Sequence, residues 1–134
     1  EDIPEIVDGL SKKYKNMITV VLGASTNPRR YSYKAVEVLL EAKHEVIPVS
    51  IKKGSVFDLP IQSEYPKDVK IDTIAMYLGA ENQKAHYDSI LANPPRRIIF
   101  NPGTYNPEIQ QLLKEKGVDV VNDCVFIMNS RGIY

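Results

Sequence analysis

Short apolar runs alternate with stretches of helical periodicity along most of this 134-residue chain, and this alternation constrains the fold most strongly. The first run, residues 17–24, is rich in β-branched side chains and breaks at Gly23, as a strand covered on both faces does. Apolar residues over 32–43 then recur on one helical face, and residues 45–50 predict a second strand. A strand, a helix and a strand joined by short turns imply a parallel pair with a right-handed crossover.

The same pattern continues to the end of the chain. We predict further strands over 71–78, 97–100 and 118–121, helices over 82–92 and 107–116, and a short edge strand within 56–61. Gly117 is expected to close the last of these helices, Ser32 to cap the start of the first, and His44 to satisfy carbonyls at its end. Residues 123–134 give no clear pattern.

These elements predict an α/β fold. It is a doubly wound, Rossmann-like parallel sheet in a single domain, with helices on both faces. The domain is expected over residues 16–134, and residues 1–15 are interpreted as a helical appendage because their apolar positions recur at helical spacing.

Composition excludes several classes of function. Lys plus Arg and Asp plus Glu number 17 each, so the chain lacks the overall basic field of a general nucleic-acid binder. No apolar run approaches the roughly 18 residues that a membrane span needs. Cys124 is the single cysteine and forms no internal disulfide, which fits a reducing compartment. We therefore expect a cytoplasmic protein whose anion sites, if any, are local.

Small, polar or basic residues follow each predicted strand. They occupy 23–30, 50–53, 78–79 and 101–103. In a doubly wound sheet the ligand lies outside the carboxyl ends of the strands, so these four stretches are the candidate site.

The first stretch has a definite physical use. Gly23 and Ala24 let the backbone come close to a ligand, Ser25 offers a hydroxyl, and the helix that follows presents unpaired N–H groups to a phosphate. The alternative is a turn that merely connects strand to helix, since a lone glycine loop is a weak motif. Arg30 and its arginine neighbour, with Ser32, favour phosphate binding.

The type of nucleotide follows from two absences in the sequence. A typical NAD site needs Gly-x-Gly-x-x-Gly and, roughly 20 residues on, an acidic residue that holds the ribose. Here the loop has one glycine, Ser50 ends the second strand, and Lys52 follows it. A lysine attracts a phosphorylated ribose, which favours coenzyme A or NADP.

The segment GASTNPRRYSYKAVEVLLEAKHEVIPV, residues 23–49, resembles the small stand-alone coenzyme A-binding domain proteins. It is also similar to the nucleotide-binding domain of the succinyl-CoA synthetase alpha subunit. The resemblance covers about residues 17–124. It implies that a group of loop residues surrounds the cofactor phosphates: Gly23, Ser25, Pro28, Arg30, Ser32 and Tyr33.

The same resemblance extends to the later strand ends. It implies that Val49 and Ser50 lie near the adenosine end and that Lys52 is a partner for the ribose phosphate. Further matches are Leu78, Asn101, Pro102 and Gly103. This chain departs from the family after the second strand, where it has Ser50-Ile51 and the family often has Asn-Pro.

Three functions remain open from the sequence. The first is non-enzymatic binding of coenzyme A or an acyl-CoA. The second is an NADP-dependent oxidoreductase or an acyl-CoA-handling enzyme subunit, and the third a structural module with a vestigial pocket. Ligase activity is not expected, because the chain has no room for the second, phosphohistidine domain of such ligases.

The chain offers few candidates for chemistry beyond binding. No catalytic motif emerges, and His86 stands without metal-ligand neighbours, so neither a catalytic residue nor a metal is assigned. The Cys124 thiol follows the last strand, at the ligand-facing end, where it could meet an acyl or thiol group. The expected partner is a small nucleotide ligand, with a homodimer or a partner enzyme as further expectations.

Overall fold

The computed structural model describes residues 17–134, in which a parallel sheet of five strands lies at the centre. The sheet has the order β2-β1-β5-β6-β7, and a separate hairpin pairs β3 with β4. The strands are β1 (Ile18–Leu22), β2 (Glu45–Val49), β3 (Ser55–Val56), β4 (Leu59–Pro60), β5 (Thr73–Met76), β6 (Arg97–Phe100) and β7 (Asp119–Asn122). The helix predicted over 1–15 lies outside the described residues.

Helices cover both faces of the sheet. They are α1 (Tyr31–Glu41), α2 (Ala80–Gln83), α3 (Tyr87–Ala92), α4 (Pro107–Glu115) and α5 (Val125–Ser130), with a 3-10 turn at Lys84–His86 between α2 and α3. Buried residues of α1 and α5 pack in one apolar cluster with Val21, and those of α3 and α4 pack in another with Val20. Adjacent residues of one strand thus point to opposite cores, which explains the unbroken apolar run. The doubly wound α/β fold is confirmed.

The predicted edge strand within 56–61 is wrong in form. β3 and β4 pair with each other in an antiparallel hairpin, and Phe57 and Asp58 between them have φ angles of 48° and 65°. Two positive φ angles build the tight turn that matches strand twist, but the sequence lacks the Asn-Gly or Asp-Gly that usually signals it. Gln62, two residues after the hairpin, forms a parallel bridge with Val49 of β2.

Two further predictions need correction, and the structure shows a helix in a segment that the sequence left without a prediction. Helix 82–92 is divided into α2, a 3-10 turn and α3. Ser32 does not cap α1, because Arg30 occupies the N-cap position. Ser32 is the second residue of the helix and is buried. The uninterpreted tail contains α5, whose buried Val125 and Met128 belong to the core under α1.

The end of α1 is closed by backbone rather than by the His44 ring. Lys43 has a φ of 69°, and the amides of Lys43 and His44 donate to the carbonyls of Leu40 and Leu39, respectively, at 3.0 Å each. This arrangement is a Schellman motif with lysine at the position that usually holds glycine. The prediction that the side chain of His44 caps the helix is therefore wrong. Gly117 closes α4 in the same manner, as predicted.

The His44 ring packs instead against Tyr134, with ring centroids 4.8 Å apart. The Tyr134 hydroxyl lies 2.6 Å from the Thr19 hydroxyl, and the Arg97 guanidinium lies 4.6 Å from the Tyr134 ring centroid. Burial, and secondarily the charge of Arg97, lower the pKa of His44 below its ordinary 6.5, against an opposing effect of Asp72. The folded protein therefore favours the neutral imidazole.

We expect the free energy of unfolding to fall between about pH 7.5 and about pH 5.5, and His44→Gln to reduce this slope. In that window the unfolded chain takes up a proton on His44 that the folded chain takes up only at lower pH. Urea unfolding at several pH values measures the slope. His86, whose pKa burial also lowers, gives the matched variant His86→Gln, which should retain the His44 component. Equal slopes for native chain and His44→Gln would contradict the burial of this ring.

A buried carboxamide ties together the loops after β5 and β6. Gln83 is completely buried, and its Nε2 donates to the Leu78 carbonyl at 2.9 Å and to the Thr104 carbonyl at 2.8 Å. Its Oε1 accepts from Asn106 Nδ2 at 3.0 Å. The backbone amide of Asn106 donates to Gln110 Oε1. Because each group is satisfied inside the protein, this network fixes the spacing of the two loops.

Gln83→Met should lower the free energy of unfolding by roughly 2–4 kcal/mol, since it leaves two carbonyls and one amide without their buried partners. Hydrogen exchange of the amides over 77–79 and 102–105 should accelerate. Gln110→Met is the matched control, because it removes one buried bond of the same network, at the start of α4, and leaves the bonds to the Leu78 and Thr104 carbonyls in place. Equal exchange of these loops in both variants would show that Gln83 does not hold them.

Candidate functional site

A cleft of about 750 Å³ opens along the carboxyl edge of the parallel sheet. Its volume is in the range of small-molecule and cofactor sites. It is lined by residues that follow all five strands: Gly23, Ala24, Ser25, Arg30, Tyr31, Ser32, Ser50, Ile51, Lys52, Tyr77, Leu78, Asn82, Asn101, Pro102, Gly103, Thr104, Cys124 and Phe126. The cleft includes the junction of β1 and β5, where helices pass from one face of the sheet to the other, as ligand sites of doubly wound folds do.

The loop between β1 and α1 is folded by its own hydrogen bonds. The Gly23 and Ala24 amides both donate to the Val49 carbonyl, at 2.9 and 3.1 Å. Further along, the Asn27 amide donates to Ser25 Oγ, and Asn27 Oδ1 accepts from the Arg29 amide, each at 3.0 Å. The path of this loop is therefore set by the chain itself.

Gly23 occupies a position that no other residue fits well. Its φ is 98°, and a Cβ atom there would lie 3.1 Å from side-chain atoms of Leu78 and from the carbonyl carbon of Tyr77. Both the conformation and the close approach require glycine. The first strand thus ends directly against the loop after β5, at the floor of the cleft.

The N-terminus of α1 opens into the cleft. Arg30 is the N-cap and makes no side-chain capping bond, and the first turn contains no acidic residue. The first helical hydrogen bond runs from the Lys34 amide to the Arg30 carbonyl, so the amides of residues 31–33 have no partner within the helix. This 11-residue helix therefore presents free N–H groups and the positive end of its dipole to an anion.

Charge around the cleft has one sign. Arg30 and Lys52 are the charged residues among those that line it, and within the described residues no Asp or Glu lines it. The cleft is therefore electrostatically suited to an anionic ligand. Histidine, too, is missing from the lining among residues 17–134.

Asn101 is a structural member of the far wall. Its Nδ2 donates to the Met76 carbonyl at 3.0 Å, and its Oδ1 accepts from the Val125 amide at 2.9 Å. Thr104 Oγ1 donates to the Asn101 carbonyl at 2.7 Å. Asn101 thus fixes the ends of β5 and α5 around the cleft, and its carboxamide is engaged inside the protein.

Cys124 and Tyr77 both line the cleft. The Cys124 thiol is free and half-buried. Burial raises the pKa of Tyr77 well above its ordinary value, and its buried hydroxyl oxygen has no hydrogen-bond partner among residues 17–134. Within the same residues no group of His, Cys, Asp and Glu is arranged to hold a metal ion.

The structure brings most of the predicted site residues together, without testing what they bind. Those lining the cleft are Gly23, Ala24, Ser25, Arg30, Ser32, Ser50, Lys52, Leu78, Asn101, Pro102 and Gly103. Three do not line it. Pro28 is on the exposed part of the loop, Tyr33 packs against Phe57 of the hairpin at 4.8 Å between ring centroids, and Val49 is buried.

Several residues of the lining were not assigned individually from the sequence, although Ile51 lies within the candidate stretch 50–53. They are Tyr31, Ile51, Tyr77, Asn82, Thr104 and Phe126. Ile51 and Tyr31 are 86% and 71% exposed, and both lie at the edge of the cleft. Ile51 follows a strand and Tyr31 begins a helix, and these positions are the signal by which the sequence could have identified them as lining residues.

The fold has clear counterparts among solved structures. An uncharacterized protein known from its crystal structure is 40% identical, with a TM-score of 0.84, and the match covers 88% of this chain and 98% of that one. A hypothetical protein from Pyrococcus horikoshii OT3 is 24% identical over 95% of this chain and 89% of its own, with a TM-score of 0.77.

A larger enzyme shares the fold as well. It is a dinucleotide-forming acetyl-coenzyme A synthetase from Ca. Korarchaeum cryptofilum, solved with phosphate and ADP, which is 17% identical with a TM-score of 0.66. The match covers 85% of this chain and 27% of the synthetase. Since the identities of these last two proteins are below 25%, they show the shared fold alone.

No curated protein matches the chain. Within the described residues no helix has the length and apolar character required to cross a membrane. The sequence model of the CoA binding domain family matches residues 18–130. This match confirms the resemblance that was drawn from residues 23–49. The specific likeness to succinyl-CoA synthetase stays a prediction. With this match and the 40% identical structure, the chain belongs to the family of CoA-binding domains.

Proposed function

We propose that the chain binds coenzyme A, free or as a thioester, and does not itself catalyse a reaction. The observation that carries this proposal is the N-terminus of α1, which opens with Arg30 into a cleft whose described lining has no acidic residue. Membership in the CoA-binding domain family supports coenzyme A as the ligand.

The diphosphate is the part of coenzyme A that suits the α1 N-terminus. Free amides at residues 31–33 can donate to phosphate oxygens, and the Ser25 and Ser32 hydroxyls lie in the same lining. Arg30 adds a charge-assisted contact that an arginine fork makes well with phosphate. Gly23 lets the end of β1 pack closely against Tyr77 and Leu78 at the floor of the cleft.

The ribose phosphate suits the opposite side of the β1 loop. Lys52 lines the cleft after β2, beside Ser50, whose Oγ accepts from the Lys52 amide at 3.2 Å. An ammonium group there would attract the phosphate that distinguishes coenzyme A from its dephospho form. The adenosine is then placed over the end of β2.

The composition of the lining supports binding without catalysis. Its one strong nucleophile is Cys124, and neither a histidine nor a carboxylate of the described residues lines the cleft beside it to take or give a proton. A sensor or carrier of coenzyme A needs no such group. A homodimer or a partner enzyme, and a cytoplasmic location, stay predictions.

We expect coenzyme A and acetyl-CoA to raise the melting temperature of the native chain more than NAD, NADP or ADP does, because a ligand that binds only the folded state stabilises it. Thermal-shift titration measures this, and mass spectrometry of ligand that co-purifies with the protein gives an independent readout. Stabilisation by NADP alone would favour an oxidoreductase, and no response to any of the five would contradict a nucleotide site.

The contact residue is tested by Arg30→Ala. It should weaken coenzyme A binding about tenfold or more, since a charge-assisted hydrogen bond is lost. Arg29→Ala is the matched control, because Arg29 is the neighbouring arginine and does not line the cleft. Lys116→Ala, on an exposed position after α4, serves as a distant one. Equal effects of all three would remove the loop from the site.

Lys52→Ala should reduce the preference for coenzyme A over dephospho-coenzyme A. The expected change is about three- to fivefold, because Lys52 is exposed and its attraction to a phosphate is screened by solvent. Titration calorimetry of both ligands with both proteins measures the ratio. Lys53→Ala, adjacent in sequence but outside the lining, should leave the ratio unchanged. An unchanged ratio in Lys52→Ala would place the ribose phosphate elsewhere.

A further inference from the structure

The segment that contains Lys52 is closed into a loop by its own backbone. It runs from Ser50 to Gln62 and includes the β3–β4 hairpin. The Ser50 amide donates to the Gln62 carbonyl at 2.9 Å, and inside this pair the Ile61 amide donates to the Gly54 carbonyl at 2.9 Å. Lys52 therefore lies between two positions that the hairpin segment holds together, and its amide donates to Ser50 Oγ.

The same hairpin packs against α1 and against the loop that precedes it. The Phe57 ring lies 4.8 Å from the Tyr33 ring, measured between centroids, which is within the range of a favourable aromatic pair. Val56 is buried in the apolar cluster under α1. A Cβ atom on Gly54 would lie 2.7 Å from Thr26 Cγ2, so the backbone of the segment touches the β1–α1 loop. The hairpin segment thus contacts the chain both before and after the N-cap of α1.

These contacts relate the two cations of the cleft to each other. Arg30 is the N-cap of α1, and Lys52 belongs to the hairpin segment. Under the proposed function they attract different phosphates of one ligand, since Arg30 meets the diphosphate and Lys52 the ribose phosphate. The attraction between unlike charges falls with distance and is screened by salt. The spacing of the two side chains therefore decides whether one ligand can satisfy both.

Phe57 has an uncommon backbone conformation at the turn of the hairpin. Its φ angle is 48°, in the region that favours glycine, and the next residue, Asp58, has a φ angle of 65°. Such a conformation persists only where the surrounding structure stabilises it, and the contact of the Phe57 ring with Tyr33 contributes to this. Phe57 does not line the cleft, so any effect it has on a ligand passes through the residues that it holds in place.

We propose that Phe57 is a positioning residue for ligand selection. Its contact with Tyr33 holds the hairpin segment against α1, and this fixes Lys52 at a spacing from Arg30 that suits the diphosphate and the ribose phosphate of one ligand. The cleft thereby prefers nucleotides with a phosphorylated ribose, because the lysine is in place before the ligand enters. This inference rests on the proposed binding of coenzyme A.

Phe57→Ala tests the inference with coenzyme A and dephospho-coenzyme A as the two ligands. We expect the ratio of their affinities, measured by titration calorimetry, to fall about twofold or more, because Lys52 is no longer held near the ribose phosphate. Phe57→Tyr keeps the ring and should retain the native ratio. Leu112→Ala is the matched control and should also retain it, since Leu112 is 39% exposed against 38% for Phe57 and lies on α4, outside the lining. Phe57→Leu, which keeps an apolar side chain without the ring, gives the same comparison if the alanine variant does not fold.

A double-mutant cycle distinguishes positioning of Lys52 from a general loosening of the fold. In a chain that already carries Lys52→Ala, the further change Phe57→Ala should leave the affinity ratio unchanged, because the side chain through which Phe57 acts is gone. Three results would overturn the inference and leave the proposed function standing: an equal loss of affinity for both ligands in Phe57→Ala, a similar fall of the ratio in the Lys52→Ala background, or a native chain that binds both ligands equally well. No binding of either ligand to the native chain would overturn both.

Discussion

Two hydrogen bonds to one carbonyl oxygen set the geometry on which the site depends. The Gly23 and Ala24 amides both donate to the carbonyl of Val49, the last residue of β2. These bonds join the end of β1 to the end of β2. The side chains of Ser25 and Asn27 then accept backbone hydrogen bonds that turn the loop toward the start of α1. Because Val49 is completely buried, this anchor is shielded from water. A ligand would meet a loop whose ordering has already been achieved by folding, which lowers the entropic cost of binding.

Carboxamide side chains hold the loops after β5 and β6 in place, as backbone hydrogen bonds hold the loop after β1. Asn101 joins the end of β5 to the start of α5, and Gln83 joins the loops after β5 and β6. An amide has both donors and acceptors, so one buried side chain can satisfy carbonyls and N–H groups of two elements at once. Pro102 and Gly103 remain exposed on the cleft surface beside these buried carboxamides.

The sequence predicted the parallel sheet and the location of the cleft because both follow from local patterns. The apolar run before Gly23 and the helix after Arg30 are strong signals, and parallel topology then brings the strand ends together. The hairpin turn at Phe57 and Asp58 was missed. A positive φ angle is unfavourable for such residues and is stabilised by the surrounding structure, so composition does not signal it. The sequence pattern also did not predict the direction in which individual side chains point. Tyr33 turns to the hairpin while Tyr31, two residues earlier, faces the cleft.

A balanced net charge shapes how such a site can work. With 17 cationic and 17 acidic residues the chain has little long-range field, and salt screens what remains beyond about 8 Å. Under the proposed function, Arg30 and Lys52 act on phosphates only after these have entered the cleft. Recognition then depends on contacts with the amides at the start of α1 and with these two cations rather than on long-range attraction.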